Sequence, residues 1–218
     1  SKVLRSSDGN TWEDYFICPG LASAGIQNIT LFKGTGVVDS VYITTIDFPA
    51  TNIYRAAVDA NDPDNLSSSF TLITDVNAQF GYQGITCSLV SGDTMYYSVS
   101  SSDRIIKTAN GTSFHENTRF TDSIANNYSN SQVTAMVEFN SYIYYITHSS
   151  FGTGTYIWKS NDGTNFTLEE TFNADTLGGA VAVCVAGGKL WIVGRTDNDY
   201  TTVFSTVNGS DYVLENAD

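Results

Sequence analysis

Ile157-Trp158-Lys159-Ser160-Asn161-Asp162-Gly163-Thr164-Asn165-Phe166 reads as a short apolar strand, a polar turn centred on Asp162 and Gly163, and an aromatic residue that opens the next strand. The pattern recurs. Ser6-Ser7-Asp8-Gly9-Asn10-Thr11-Trp12, Thr108-Ala109-Asn110-Gly111-Thr112-Ser113-Phe114 and Thr206-Val207-Asn208-Gly209-Ser210-Asp211-Tyr212 repeat it in register. Each copy has a hydroxyl residue, then Asp or Asn before Gly, then a ring three residues after the glycine. An Asp or Asn side chain at such a site accepts bonds from turn amides, and glycine takes backbone conformations closed to other residues. The turn is therefore read as a folding device, repeated through the chain.

Working outward, the residue two before each turn's Asp or Asn lies next to a regularly spaced mark. Arg5, Arg55, Lys107, Lys159 and Ser205 recur about every 50 residues, close to the period of a four-strand propeller blade and too long for helical-pair repeats. The strands between the marks are legible as alternating or apolar runs joined by tight turns. GGAVAVCVAGGKLWIVGRT turns at Ala186-Gly187-Gly188, VTAMVEFNSYIYYITHSS at Asn140-Ser141, ITCSLVSGDTMYYSVSS at Gly92-Asp93, and IQNITLFKGTGVVDSVYITTI around Gly34 to Gly36. Gly and Asn tolerate the positive φ that two-residue hairpins need. No stretch has sustained helical periodicity. The fold class expected is all-β: a β-propeller of four-stranded antiparallel blades.

A single domain over 1–218 is expected, with a partial repeat at 2–16 and full repeats at 17–74, 75–119, 120–172 and 173–218. The partial repeat supplies only the outer pair of a blade. Three explanations compete: a five-bladed ring with one thin, incomplete N-terminal blade, a ring completed by another chain, or part of a longer propeller. The first and third are favoured, five blades being the expectation carried forward. The repeat at 17–74 also departs from the others, with Asn61 to Ser68 inserted where they have the tight turn.

The turn resembles the Asp-box, or bacterial neuraminidase repeat, of β-propellers. The family pattern is S-x-D-x-G-x-T-W, and Ser6, Asp8, Gly9, Thr11 and Trp12 match it with one residue fewer in the turn. Asn110 and Asn208 replace the acid in two copies, where Asp162 keeps it. Phe114, Phe166 and Tyr212 replace the Trp, and Gly111, Gly163 and Gly209 hold the glycine position. The resemblance implies a propeller in which the box is structural and its ring plugs between sheets. Sialidases of this family use three arginines, a Tyr-Glu pair and an Asp acid. Here Arg5 and Arg55 occupy the marked slot as blade furniture, which leaves Arg104, Arg119 and Arg195. A two-carboxylate glycosidase is a further alternative, with Glu138 on an inner strand the acid to watch.

Ten Lys and Arg against 23 Asp and Glu leave a formal charge of −13, which opposes phosphate backbones and anionic lipid. Nucleic acid is not an expected partner. No apolar run approaches the ~20 residues of a membrane helix, so no membrane insertion is expected. Ser1 to Asn10 carries no signal-peptide core, so an export signal is expected to have been removed or to lie elsewhere. Few Lys, abundant Ser, Thr, Asn and Tyr, and sequons at Asn28, Asn65, Asn110, Asn127, Asn165 and Asn208 suggest an extracellular or virion-surface setting. Cys87 and Cys184 lie in apolar alternation and are expected as buried free thiols. His115 and His148 have no ligand at zinc spacing. No cofactor is expected; calcium at Asp8 or Asp162 is the alternative, against which stands the need for six or more oxygens where each turn offers one or two.

Binding residues concentrate on loops carried by rigid scaffolds. In a propeller the hairpin turns occupy one face and the longer connections the other. Here the long connections are 18–25, 76–84, 121–131, 149–154, 172–179 and 195–200. They bring Phe80, Tyr82, Asn127, Tyr128, Phe151, Asp197, Asp199 and Tyr200, rings beside amide and carboxylate groups of the kind that stack on and hydrogen-bond carbohydrate. The function expected is a non-catalytic recognition module that binds glycan or a partner protein through this face. The alternatives are a scaffold block of a larger assembly, such as a phage tail or surface-layer component, and a sialidase-like or other glycoside hydrolase.

Overall fold

The computed structural model describes residues 2–6, 8–17, 25–36, 38–47, 50–62, 66–67, 69–82, 84–99, 104–116, 131–149 and 154–215. Four antiparallel sheets of four strands each run inner to outer in chain order. The first contains β3 (Gly25–Phe32), β4 (Ser40–Asp47), β5 (Ala50–Ala57) and β6 (Thr71–Asp75). The second contains β7 (Ile85–Ser91), β8 (Thr94–Val99), β9 (Ile105–Thr108) and β10 (His115–Glu116), and the third β11 (Ser131–Phe139), β12 (Tyr142–Ser149), β13 (Thr155–Ser160) and β14 (Thr167–Phe172). The fourth is β15 (Gly179–Ala186), β16 (Lys189–Arg195), β17 (Thr201–Thr206) and β18 (Val213–Leu214). Ahead of them β1 (Lys2–Arg5) pairs with β2 (Glu13–Ile17) as a two-stranded sheet.

Tight hairpins between inner strands follow from residues that tolerate positive φ. Asn140 and Ser141 take φ of 50° and 64°, and Gly187 and Gly188 take 59° and 74°. Every inner strand carries a register shift near its start, at Ile26/Asn28, Ile85/Cys87, Val133/Ala135 and Ala180/Ala182. The residues inserted there, Gln27, Thr86, Thr134 and Val181, bend the strand as it enters the sheet.

The four repeated turns share one set of internal bonds. Asp8 Oδ1 accepts from Ser6 Oγ and from the amides of Asn10 and Thr11, while Ser6 Oγ accepts from Gly9 N. Asp162 does the same with Ser160, Thr164 and Asn165. Asn110 repeats it with Thr108, Thr112 and Ser113, and Asn208 with Thr206, Ser210 and Asp211. In the first sheet the inserted residues stand in place of this turn, with Leu66 bridged to Val58 and Ser67 N donating to Ala57 O.

The core lies between sheets, in layers. Phe32, Tyr42 and Ile53 meet Ile85, Met95, Tyr97 and Ile106 across the first and second sheets. Tyr96 and Ile105 meet Tyr145, Trp158 and Phe166 across the second and third; Tyr144, Ile146 and Ile157 meet Leu190, Ile192 and Phe204 across the third and fourth. Each layer is organised around one tyrosine. Tyr42, Tyr96 and Tyr144 occupy the same register, opposite Arg55, Lys107 and Lys159. Each phenol reaches the turn glycine of the following sheet, so that a Cβ at Gly111, Gly163 or Gly209 would overlap the oxygen of Tyr42, Tyr96 or Tyr144 respectively. Tyr42 Oη also donates to Gly111 O at 3.2 Å. The turn glycine thus serves twice: it takes positive φ, and its bare Cα receives the neighbouring ring.

Two short helices appear where the sequence shows no helical periodicity. α1 (Val76–Phe80) is capped by Asp75, whose side chain accepts from Ala78 N, and α2 (Ala174–Leu177) by Asn173, which accepts from Thr176 N. Each is about one turn long, too short for periodicity to register. They link the first sheet to the second and the third to the fourth, burying Val76 and Leu177 between the sheets they join.

Cys87 is half-buried and its thiol, enclosed by its surroundings, is pushed up to about 11. Cys184 corrects the expectation of burial: it is exposed. The apolar alternation of VAVCVA sets which way the side chain points, but on that face of the fourth sheet Cys184 and Val213 are both exposed, with no sheet packed on them among the described residues.

Candidate functional site

The described long connections, 76–82, 172–179 and 195–200, lie at the strand ends opposite the repeated turns, and the candidate residues fall into three groups. Phe80 and Tyr82 fold back. Both pack against the layer between the first and second sheets, and Tyr82 Oη donates to Glu116 Oε1 at 3.2 Å. Glu116 in turn pairs with Arg104, which occupies one of the arginines considered for a substrate carboxylate. Asn127, Tyr128, Phe151 and Arg119 lie outside the described residues.

Asp197, Asp199 and Tyr200 form the third group, on the turn between β16 and β17. Thr196 organises that turn: its amide donates to Tyr200 O, its carbonyl accepts from Asp199 N, and its hydroxyl accepts from the Tyr200 amide at 3.2 Å. Asp199 takes φ of 62°, and Asp197 N donates to Ala174 O at 3.0 Å, fastening the turn to α2. Tyr200 is 63% exposed, with exposed Asp197 and Asp199 beside it in sequence. The result is a ring standing in solvent on backbone that is held at both sides.

Sequence reasoning missed the residues of the inner-strand bulges. Gln27 Oε1 accepts from Ile85 N at 3.2 Å, Thr86 Oγ1 bonds Ser98 Oγ at 2.6 Å, and Thr134 Oγ1 bonds His148 Nδ1 at 2.9 Å. Burial pushes His148 below its ordinary pKa, favouring the neutral imidazole. A shift of register has no signature in residue type, so nothing in the sequence marked these positions.

Sequence reasoning also missed a cavity of about 370 Å³ on the face of the repeated turns. Tyr142, Lys159, Asn161, Asn165, Thr167 and Glu169 line it together with Ser160. Lys159 Nζ lies 4.5 Å from the centre of the Tyr142 ring and 3.8 Å from Glu169 Oε2, and Ser210 of the next turn donates to Glu169 as well. The cation is therefore compensated on two sides. The available signal was Tyr142 immediately after the Asn140-Ser141 turn, which places a ring at the rim of this face.

Arg55, Asp8 and Asp162, among the charges considered for catalysis or metal binding, have structural partners. Arg55 Nε donates to Ser40 Oγ at 3.0 Å. Turn amides converge on Asp8 and Asp162 and hold both carboxyls well below the usual carboxylate range. Glu138 is exposed on β11, and Arg195 is exposed at the end of β16. Among the described residues no group of three or more His, Cys, Asp and Glu could hold a metal ion.

No known family profile matches the chain, and no curated protein matches it. Solved structures do. A candidate 6-phosphogluconolactonase from Bacteroides uniformis ATCC 8492 aligns over 98% of this chain and 63% of its own length, with TM-score 0.57 and 15% identity. Virginiamycin B lyase from Staphylococcus aureus aligns over 87% of this chain and 55% of its own, with TM-score 0.56 and 13% identity. A GH43_1 enzyme from Xanthomonas citri aligns over 89% of this chain and 75% of its own, with TM-score 0.52 and 7% identity. The fold is of the β-propeller type. The four-stranded sheets are blades, and the chain spans less than two thirds of the length of the first two neighbours. At these identities the likeness is one of fold, and one fold carries many chemistries.

Proposed function

We propose that this propeller is a non-catalytic recognition module, displayed extracellularly or on a virion surface, that binds glycan or a partner protein through the face of the long connections. Its repeated turns are read as degenerate Asp-boxes, and the β1–β2 pair as the outer half of a fifth blade. The observation that carries the reading is Tyr200: an exposed ring on a turn fixed by Thr196 and α2, next to two exposed carboxylates. A ring whose backbone is already ordered loses little freedom on stacking against a sugar, and neighbouring oxygens accept from hydroxyls.

A glycan array probed with folded protein, with and without calcium, tests the proposal. A selective hit that Tyr200→Ala weakens by about tenfold or more is the expected result, on the scale of a lost aromatic contact. Binding that survives simultaneous replacement of Tyr82, Tyr128 and Tyr200 by Ala overturns the site.

The cavity beside Tyr142 favours a second reading, with the ligand on the opposite face. Amides, hydroxyls and a ring surround it, and its volume falls within the range of small-ligand sites. In that case Tyr142→Ala abolishes binding and Tyr200→Ala leaves it intact. The hydrolase alternative draws on neighbours such as the GH43_1 enzyme. It predicts turnover of glycosides that Glu138→Gln eliminates.

A further inference from the structure

Three sheet-to-sheet layers are built the same way, and the chain displays both halves of a fourth, unjoined. The donor half of each layer is a tyrosine at a fixed register: Tyr42, Tyr96 and Tyr144. In the fourth blade that register belongs to Trp191, which is paired with Cys184 on β15 and Ser205 on β17, with Val213 beyond on β18. Among the described residues no sheet packs on this face. Cys184 is exposed, Val213 is 58% exposed, and Trp191 lies half-buried with its Nε1 donating to Ala186 O of its own hairpin.

The receiving half of each layer is a triplet: an apolar residue two before the turn's hydroxyl, the turn glycine, and the turn ring. Ile106, Gly111 and Phe114 form one; Trp158, Gly163 and Phe166 another; Phe204, Gly209 and Tyr212 the third. Leu4, Gly9 and Trp12 form a fourth on the β1–β2 pair, with the turn's hydrogen bonds complete. Nothing covers it. Leu4 is 49% and Trp12 60% exposed, and a Cβ placed on Gly9 would meet no atom within 4 Å.

We infer that the Trp191 face of one molecule receives the Leu4-Gly9-Trp12 surface of a second copy, reproducing between chains the layer that joins blades within one. Among the described residues both halves are uncovered. The receiving face of the first blade is a poor substitute. It carries the insert in place of a glycine turn, and Leu66 and Phe70 from that region already pack over Ile43 and Ala56. The contact is heterologous, two different surfaces meeting, so it propagates head to tail. The exposed side chains that meet, Leu4 and Trp12 on one surface and Cys184 and Val213 on the other, are uncharged, and Lys189, which lies over the Trp191 ring, is paired with Glu215; each copy nonetheless carries a net charge of −13. Added salt therefore screens the repulsion and strengthens association, opposite to the behaviour of a contact built on ion pairs.

Sedimentation velocity over a hundredfold range of protein concentration, at low and moderate salt, reads the association directly. Species larger than one chain are expected, growing with concentration and salt, with iodoacetamide labelling of Cys184, followed by peptide mass spectrometry, slowed at least tenfold in the associated state. Val213→Glu and Trp12→Glu, both at exposed positions, should each give monomers. Mixed one to one, each supplies the half the other retains, so the mixture should form a dimer and stop there. Leu31→Glu, on the receiving face of the first blade, should associate as wild type does. A monomer at every concentration with Cys184 freely labelled overturns the inference. So does a monomer with Cys184 protected, which would mean closure within one chain, and so does failure of the mixed variants to pair or loss of association in Leu31→Glu.

Discussion

The turns at Ser6–Trp12 and Ser160–Phe166 have the same internal hydrogen bonds and opposite surroundings. In both, the carboxylate gathers two amides and a hydroxyl, and the hydroxyl accepts from the glycine amide. Around Gly163 the neighbouring blade presses in with Tyr96, and Phe166 is buried; around Gly9 there is open space, and Trp12 stands in solvent. The turn is made by its own seven residues, whereas what the turn is worth to the fold is decided by the blade that faces it.

That contrast can be broken by paired substitutions read as urea-unfolding midpoints. The ring should show the largest difference. Phe166→Ala empties a site between two blades and is expected to cost about 3–5 kcal/mol, while Trp12→Ala, in monomeric protein, should stay within about 0.5 kcal/mol. Next comes the glycine. Gly163→Ala meets both an unfavourable φ of 63° and the Tyr96 phenol, and about 2–5 kcal/mol is expected; Gly9→Ala meets only its φ of 76°, about 1–2 kcal/mol. Equal losses at the two glycines would mean that the phenol yields freely and is no part of the turn's role.

The hydroxyl sharpens the comparison from the other side. Ser6→Ala and Ser160→Ala both remove the bond from the glycine amide, but at Ser160 the amide is left buried, so Ser160→Ala should cost more than Ser6→Ala, both within about 0.5–2 kcal/mol. The smallest effect is carried by pH. Asp162 is held below the usual carboxylate range by the amides of Asn165 and Thr164, so its contribution is fully present above the unfolded-state value near ~4 and is lost as pH falls through the lower folded value. Asp162→Asn should leave the neutral midpoint nearly unchanged and flatten the acid limb, because Asn110 and Asn208 already show that an amide serves the same turn. A midpoint–pH series from 2 to 6 on both proteins reads it.

How much was legible follows the same division between local and distant causes. The blades were, because alternation, hairpin residues and the repeated turn are properties of neighbouring residues. The two helices escaped notice because one turn is shorter than the period that reveals a helix, although Asp75 and Asn173 stood in the sequence as caps. The partnership of Tyr96 with Gly163 was hidden for a different reason: its members lie in successive repeats, and nothing about an isolated glycine announces what approaches it. Cys184 failed similarly, since alternation tells which way a side chain points and not whether another sheet stands there. At the candidate site, loop position alone could not separate Tyr82, drawn onto Glu116, from Tyr200, left in solvent by a turn that Thr196 closes.

The tyrosine-to-glycine fit also bears on how such a chain can be inherited. Because the second and third blades each present a tyrosine at the trailing face and a bare Cα at the leading face, the two are interchangeable at their joints. Duplicating a single repeat in the gene would add one ring and one receptacle together, leaving every existing joint intact. The first blade, whose inserted residues include no glycine, offers no such receptacle and so could not take a place behind another blade without consequence.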